Sequence, residues 1–133
     1  FSGHCLCGSV SFEFSAEPEF PHCCHCDDCR RASGSVYGSF VYVSAEALQV
    51  TGEMRSYEHQ NDQSSTMTKY FCPSCGSHII GTNSKTPERR AVWVGVINDA
   101  SWFKPEVYFY ASKKLPHAPV DPEVETFDKM WSR

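Results

Sequence analysis

The sequence predicts a mainly β fold with little helix, stapled by metal-binding knuckles, and three observations predict it. Short runs of alternating apolar and polar residues recur along the chain, whereas helical periodicity is confined to two short stretches. Seven of the eight cysteines fall into three groups: Cys5-Leu6-Cys7, Cys24-His25-Cys26-Asp27-Asp28-Cys29 and Cys72-Pro73-Ser74-Cys75.

The strands are read first. Val10, Phe12 and Phe14 alternate with Ser11 and Glu13, which predicts a strand with one buried face. Val36 to Val43 is a second, rich in aromatic and β-branched residues. Leu48 to Thr51 and Met54 to Glu58 flank Gly52-Glu53 and predict a β-hairpin. Thr66 to Phe71, His78 to Thr82, Arg90 to Ile97 and Glu106 to Ala111 complete the set.

Helix is expected twice. Asp27 to Ser33 can form a turn or two after the middle cysteine group. Asp121 as N-cap and Pro122 as first helical residue predict a short C-terminal helix, with Val124, Phe127 and Trp131 on one face. Pro116 and Pro119 ahead of it give an extended arm, so residues 112–133 read as arm plus helix. No repeat or linker divides the chain, and residues 1–133 are expected to form one zinc-binding domain.

Composition excludes several classes. The formal charge is −4 and the basic residues are scattered, which argues against a nucleic-acid partner. No stretch approaches the ~18 apolar residues of a membrane span, so no membrane partner is expected. Cysteines one and two residues apart are poor disulfide partners but good joint ligands of one ion. A cytoplasmic, reducing setting is therefore expected.

The cysteine groups divide into two unequal sites. Cys72 and Cys75 form a knuckle whose turn is eased by Gly76, and Cys5 with Cys7 can supply the other half of a tetrahedron. Four thiolates leave zinc no open position, so this site reads as structural; rubredoxin-like iron, the alternative, usually joins two CxxC knuckles. Cys24, Cys26 and Cys29 offer only three sulfurs, and three protein ligands with a vacancy mark a catalytic zinc. The competing possibility closes that site with Cys23 or a distant histidine, although adjacent Cys23 and Cys24 do not easily share one tetrahedral ion.

Three thiolates also make zinc a weak Lewis acid. Ionising a bound water is then harder than on a three-histidine site, and a thiol becomes the better fourth ligand. Hydrolysis is disfavoured and thiol chemistry favoured. A zinc deaminase would need an H-x-E near a P-C-x-x-C, and neither occurs.

The runs Gly3-His4-Cys5-Leu6-Cys7-Gly8, Cys24-His25-Cys26-Asp27-Asp28-Cys29-Arg30-Arg31-Ala32-Ser33-Gly34 and Phe71-Cys72-Pro73-Ser74-Cys75-Gly76 resemble one family, in order and in spacing. It is the glutathione-dependent formaldehyde-activating enzyme family, also named for centromere protein V. The resemblance implies an Mss4-like fold of antiparallel β-sheets. It also implies two zincs per chain: a structural one on Cys5, Cys7, Cys72 and Cys75, and a catalytic one on Cys24, Cys26 and Cys29. The implied activity is that of a carbon-sulfur lyase, S-(hydroxymethyl)glutathione synthase-like, acting on a small thiol such as glutathione and an aldehyde such as formaldehyde. Cys23 is an extra thiol beside the family's motif.

Within that expectation His25 and Asp27 are the candidate catalytic residues for proton transfer, with His22 nearby. His25 could equally serve as an N–H donor to a ligand sulfur. Arg30 and Arg31 could steer an anionic substrate, and Tyr37, Phe40 and Tyr42 read as core. A non-catalytic, zinc-stabilised binding module of the same fold is the competing expectation.

Overall fold

In a computed structural model, which describes residues 1–130, eleven strands and one short α-helix follow in order. They are β1 (Ser2–His4), β2 (Ser11–Phe14), β3 (Glu19–Cys24), α1 (Asp27–Ser33), β4 (Gly38–Ser44), β5 (Leu48–Thr51), β6 (Arg55–Gln60), β7 (Thr66–Phe71), β8 (His78–Asn83), β9 (Arg89–Trp93), β10 (Val107–Phe109) and β11 (Glu125–Thr126). The mainly β expectation holds, and α1 occupies the predicted residues. By its contacts the chain forms two compact units: Phe1–Glu19 with Val41–Trp102, and Phe20–Phe40 with the chain from Phe103 onward.

The first unit is antiparallel. β2 pairs with β1 through Gly3↔Phe12 and with β5 through Phe12↔Val50. β6, β7 and β8 form a meander that β9 extends, with Tyr70 opposite Ile80 and Ile80 opposite Val92. Val10, Phe12, Phe14, Ile79, Val92 and Trp93 are buried, each side chain contributing about 1.5–3 kcal/mol when removed from water. Phe1 stacks on Phe14 with ring centroids 5.0 Å apart.

The predicted β5–β6 hairpin does not form. β5 pairs with β2 and β6 pairs with β7, so Gly52 marks a change of partner between two ladders. Its φ of +105° and its position against the Ser9 carbonyl explain why glycine stands there. The strand predicted from Arg90 to Ile97 stops at Trp93, and Val94–Val96 turns as a 3-10 helix around Gly95 before Ile97 bridges to Gly3.

The second unit is built differently. β10 pairs in parallel with β3, setting Tyr108 opposite Cys23 and Phe109 opposite Cys24, and in parallel with β11. Parallel pairing adds to the antiparallel architecture that was expected. The C-terminal helix is corrected: among the described residues, 121–130 contain no helix. Asp121 does cap, but its carboxylate accepts from Glu123 N (3.0 Å) and its carbonyl from Val124 N (3.2 Å), which makes a turn. Phe127 N then donates to Tyr108 O (2.9 Å) and the Phe127 ring stacks on Phe109 at 6.0 Å. Sheet pairing outcompetes a helix too short to be stable alone. Trp131, assigned to that helix's apolar face, lies outside the described residues. No helix among the described residues is long and apolar enough to cross a membrane.

A Cβ at Gly52 would meet the Ser9 carbonyl oxygen at 2.2 Å, whereas one at Gly95 meets nothing within 4 Å. Gly52→Ala is expected to lower the unfolding free energy by about 2 kcal/mol or more, and Gly95→Ala to change it by about 0.5 kcal/mol or less. Denaturant unfolding of the two variants measures the contrast.

Candidate metal centres

Cys5, Cys7, Cys72 and Cys75 converge in the first unit, their sulfurs all within 4.8 Å of one another. The Cys7 Sγ lies 3.6 Å from Cys5 Sγ and 3.7 Å from Cys72 Sγ. A tetrahedral ion with metal–sulfur bonds of about 2.3 Å spaces its ligands roughly 3.8 Å apart, so the residues present fit a metal. Both halves of the cluster are built alike. Gly8 N donates to Cys5 O and Gly76 N to Cys72 O, each glycine at φ near +80° (82° and 80°).

Each half ends in the same tripeptide, Cys7-Gly8-Ser9 and Cys75-Gly76-Ser77. The Ser9 hydroxyl lies 2.9 Å from Cys7 Sγ and 3.3 Å from Cys72 Sγ, and the Ser77 hydroxyl 3.3 Å from Cys75 Sγ. Val10 N and Ser74 N donate to Cys5 Sγ and Cys72 Sγ at 3.3 and 3.4 Å. These donors favour the thiolate form. The Ser77 hydroxyl, then its backbone N–H, lowers the Cys75 thiol to about 5, and the Ser9 hydroxyl lowers Cys72. Sequence reasoning missed both serines, although the repeated Cys-Gly-Ser was a signal for them.

Cys24, Cys26 and Cys29 converge in the second unit, again within 4.8 Å. Their positions follow from local structure. Cys24 ends β3 opposite Phe109, and His25 N donates to Phe109 O (2.9 Å). Cys26 caps α1, its sulfur accepting from Cys29 N at 3.3 Å, so the cap that starts the helix also brings two ligands together. Cys29 sits in the first turn.

Three sulfurs crowded together oppose one another's ionisation. The contact with Cys26 pushes Cys24 up to about 12, and contacts with Cys24 and Cys26 raise Cys29 well above the ordinary thiol range. A cation resolves that conflict by taking thiolate ligands. The group has three members and contains no histidine among the described residues. Cys23 is not among them: it is buried, with its Sγ 3.5 Å from Ser39 Oγ, and burial raises its pKa.

His25, between two of these cysteines, is 1% exposed, and neither Nδ1 nor Nε2 has a hydrogen-bond partner. Its ring lies edge-on to Tyr37 at 5.2 Å and tilted on Tyr108 at 5.6 Å. Burial, then the Lys114 charge, lowers its pKa and keeps the imidazole neutral. Asp27, in the first turn of α1, sits 3.5 Å from Arg30 Nη2 and 3.8 Å from Lys113 Nζ. His22 is buried, bonded through Nδ1 to Phe20 O (2.8 Å) and packed against Phe40 and Phe109. Phe40 is buried, Tyr37 donates to Pro119 O (3.0 Å), and Tyr42 carries the Arg89 guanidinium 3.8 Å above its ring.

Comparison with known proteins places the chain in a family. The family model described as "Glutathione-dependent formaldehyde-activating enzyme" matches residues 1–113, and the chain belongs to that family. Proteins of Penicillium rubens and Colletotrichum graminicola, both named "Putative glutathione-dependent formaldehyde-activating enzyme", are 26% and 23% identical over 112 residues. Each match covers 82% of this chain, which spans 58% of either relative's length. The crystal structure of a Rhodobacter sphaeroides protein matches the fold with a TM-score of 0.60 at 21% identity, covering 96% of this chain and 100% of that one.

A chelator is expected to strip metal from the purified protein in two phases, the three-sulfur cluster emptying first. Cys26→Ser keeps an oxygen acceptor for Cys29 N, so it should lose the fast phase and retain the fold. Cys75→Ser should unfold the first unit or lower its melting temperature sharply, since a structural metal site contributes directly to folding. Metal release followed with a chromophoric chelator, alongside circular dichroism, separates these outcomes.

Proposed function

We propose that the protein is a zinc-dependent carbon-sulfur lyase-type enzyme that adds a thiol to a small aldehyde, or reverses that addition, with glutathione and formaldehyde as the pair. The observation that carries this reading is that Cys24, Cys26 and Cys29 form a group of three, whereas Cys5, Cys7, Cys72 and Cys75 form a group of four. The names of the family and of the relatives support the same substrates. Cys5, Cys7, Cys72 and Cys75 would hold a structural zinc, and Cys24, Cys26 and Cys29 a catalytic one.

Zinc on three thiolates would supply a position at which a substrate thiol is acidic enough to give up its proton. The balance of the reaction is simple. A carbon–sulfur bond forms, the carbonyl π bond breaks, and the thiol proton ends on the former carbonyl oxygen, with no change of oxidation state.

The chain's own residues divide the remaining work. His25 is held between two ligands by its backbone bond to Phe109 and by the rings of Tyr37 and Tyr108. Its two unpartnered ring nitrogens suit it to hold the travelling proton, one donating while the other accepts. Asp27, with its ion pairs to Arg30 and Lys113, fixes the start of α1 and hence the placing of Cys26 and Cys29. Eight cysteines in no disulfide suit a reducing compartment such as the cytoplasm.

Exchange spectroscopy of 13C-formaldehyde with glutathione tests the proposal. The wild-type protein should accelerate formation of S-hydroxymethylglutathione over the spontaneous addition, and Cys26→Ser should fall back to the spontaneous rate. His25→Asn should lower kcat by about 10²-fold with metal content unchanged. A wild-type rate equal to the spontaneous one would remove the enzymatic reading and leave the zinc-stabilised binding module.

A further inference from the structure

The pairing of β7, β8 and β9 sets Lys69 opposite Gly81 and Gly81 opposite Ala91, so one long side chain is followed by two small residues across the sheet. All three lie in the first unit. A Cβ built at Gly81 would meet only the Thr68 carbonyl oxygen, at an ordinary 3.6 Å, so the space above Gly81 is open among the described residues. Side chains alternate between faces, so residues two positions along each strand project from this same face. On one side stands an aromatic row, with His78 6.1 Å from Phe71 and 5.1 Å from Trp93 between ring centroids. On the other is Arg89, its guanidinium 3.8 Å from the centre of the Tyr42 ring. The result is a trough with a Gly-Ala floor, an aromatic wall and a cation toward each end.

The polar groups of the trough lack acceptors. His59 Nδ1 donates to Gln60 O (3.3 Å), which leaves Nε2 to accept from Lys69 Nζ. That bond uses one of three ammonium protons, and neither Lys69 nor Arg89 has an ion pair among the described residues. His78 Nδ1 and Arg89 Nε are buried with no hydrogen-bond partner. Burial, then the Lys69 charge, lowers the His78 pKa, so the imidazole stays neutral and can carry its proton on Nδ1. Buried donors left unpaired are unfavourable, and an arriving acceptor relieves them. The chain carries a formal charge of −4, yet the positions that share this face from β6 to β9 include no Asp or Glu. Such a patch on an acidic protein concentrates anions.

We propose that this trough is a binding site for aromatic carboxylates, with the ring over Gly81 and Ala91 and the carboxylate accepting from Lys69 Nζ and His78 Nδ1. Arg89 adds positive charge at the far end. A small anion alone would leave the aromatic wall uncovered, and a neutral ring alone would leave Lys69 and His78 Nδ1 without an acceptor. The two features together select a ligand that carries both. The site uses no cysteine and does not depend on the thiol–aldehyde reading.

Titration of the zinc-loaded protein with benzoate, followed by amide chemical shifts, tests the site. Benzyl alcohol supplies the ring without the charge, and acetate the charge without the ring. Benzoate should bind at least about tenfold more tightly than either and shift the Gly81 and Ala91 amides. Lys69→Met should bring benzoate down to the affinity of benzyl alcohol. Gly81→Val, which the strand backbone and the 3.6 Å contact allow, should abolish binding of both ring-bearing probes with circular dichroism unchanged. Arg90→Gln, on the opposite face of β9, should leave every affinity unchanged. Should Gly81→Val fail to fold, Lys69→Met decides the matter alone. Benzoate binding no tighter than the two controls, shifts that map away from Gly81 and Ala91, or an affinity unaltered in Lys69→Met or in folded Gly81→Val would overturn the proposal.

Discussion

Sulfur held against sulfur is the constraint on which the structure depends. Two thiolates some 4 Å apart repel by about 4 kcal/mol at an effective dielectric of 20, and the first cluster holds four sulfurs at comparable spacing. With the thiols ionised, a cation makes that arrangement favourable. Once it is present, residues near Cys5 and residues near Cys72 are tied together across most of the first unit's sequence. The strands on either side need then contribute only ordinary packing: β2 against β1 and β5, and β7 against its neighbours.

The two clusters share an element type and differ in how the chain supports them. The first draws its ligands from two distant knuckles, each with a glycine at positive φ and a serine hydroxyl beside a sulfur. Its donors favour ionised sulfur at Cys72 and Cys75, while Cys7 is raised. The second takes all its cysteines from one strand end and from the cap and first turn of one short helix, with Cys24 buried and pushed away from ionisation by Cys26 and by burial. A three-sulfur group leaves a tetrahedral ion one position to fill. A site with four ligands and satisfied sulfurs is organised to stay as it is.

Much of this was legible in the sequence because cysteine spacing is local chemistry. The membership of both clusters, the helix from Asp27 to Ser33 and strands such as Thr66 to Phe71 follow from residue type and periodicity alone. What failed was pairing. Gly52-Glu53 has the composition of a hairpin turn, but partners for Leu48–Thr51 and Arg55–Gln60 are chosen by distant strands. β3 was missed because Pro21 sits within it, with Phe20 at φ 51°, a pattern that normally argues against a strand. The C-terminal helix signal at Asp121 was real as capping chemistry, but Tyr108 offered a better hydrogen-bond partner from another strand. The isolation of His25 was invisible as well, since it depends on the rings of Tyr37 and Tyr108 brought in by the fold.

The central claim is that the two metal centres are unequal and that one accepts a thiol. Cobalt(II) replacement reports on this directly, because its visible absorption bands follow the ligand set. The account predicts two cobalt ions per chain, with glutathione altering the bands of one ion and leaving the other unchanged. A single ion per chain, or two whose spectra ignore glutathione, would contradict it.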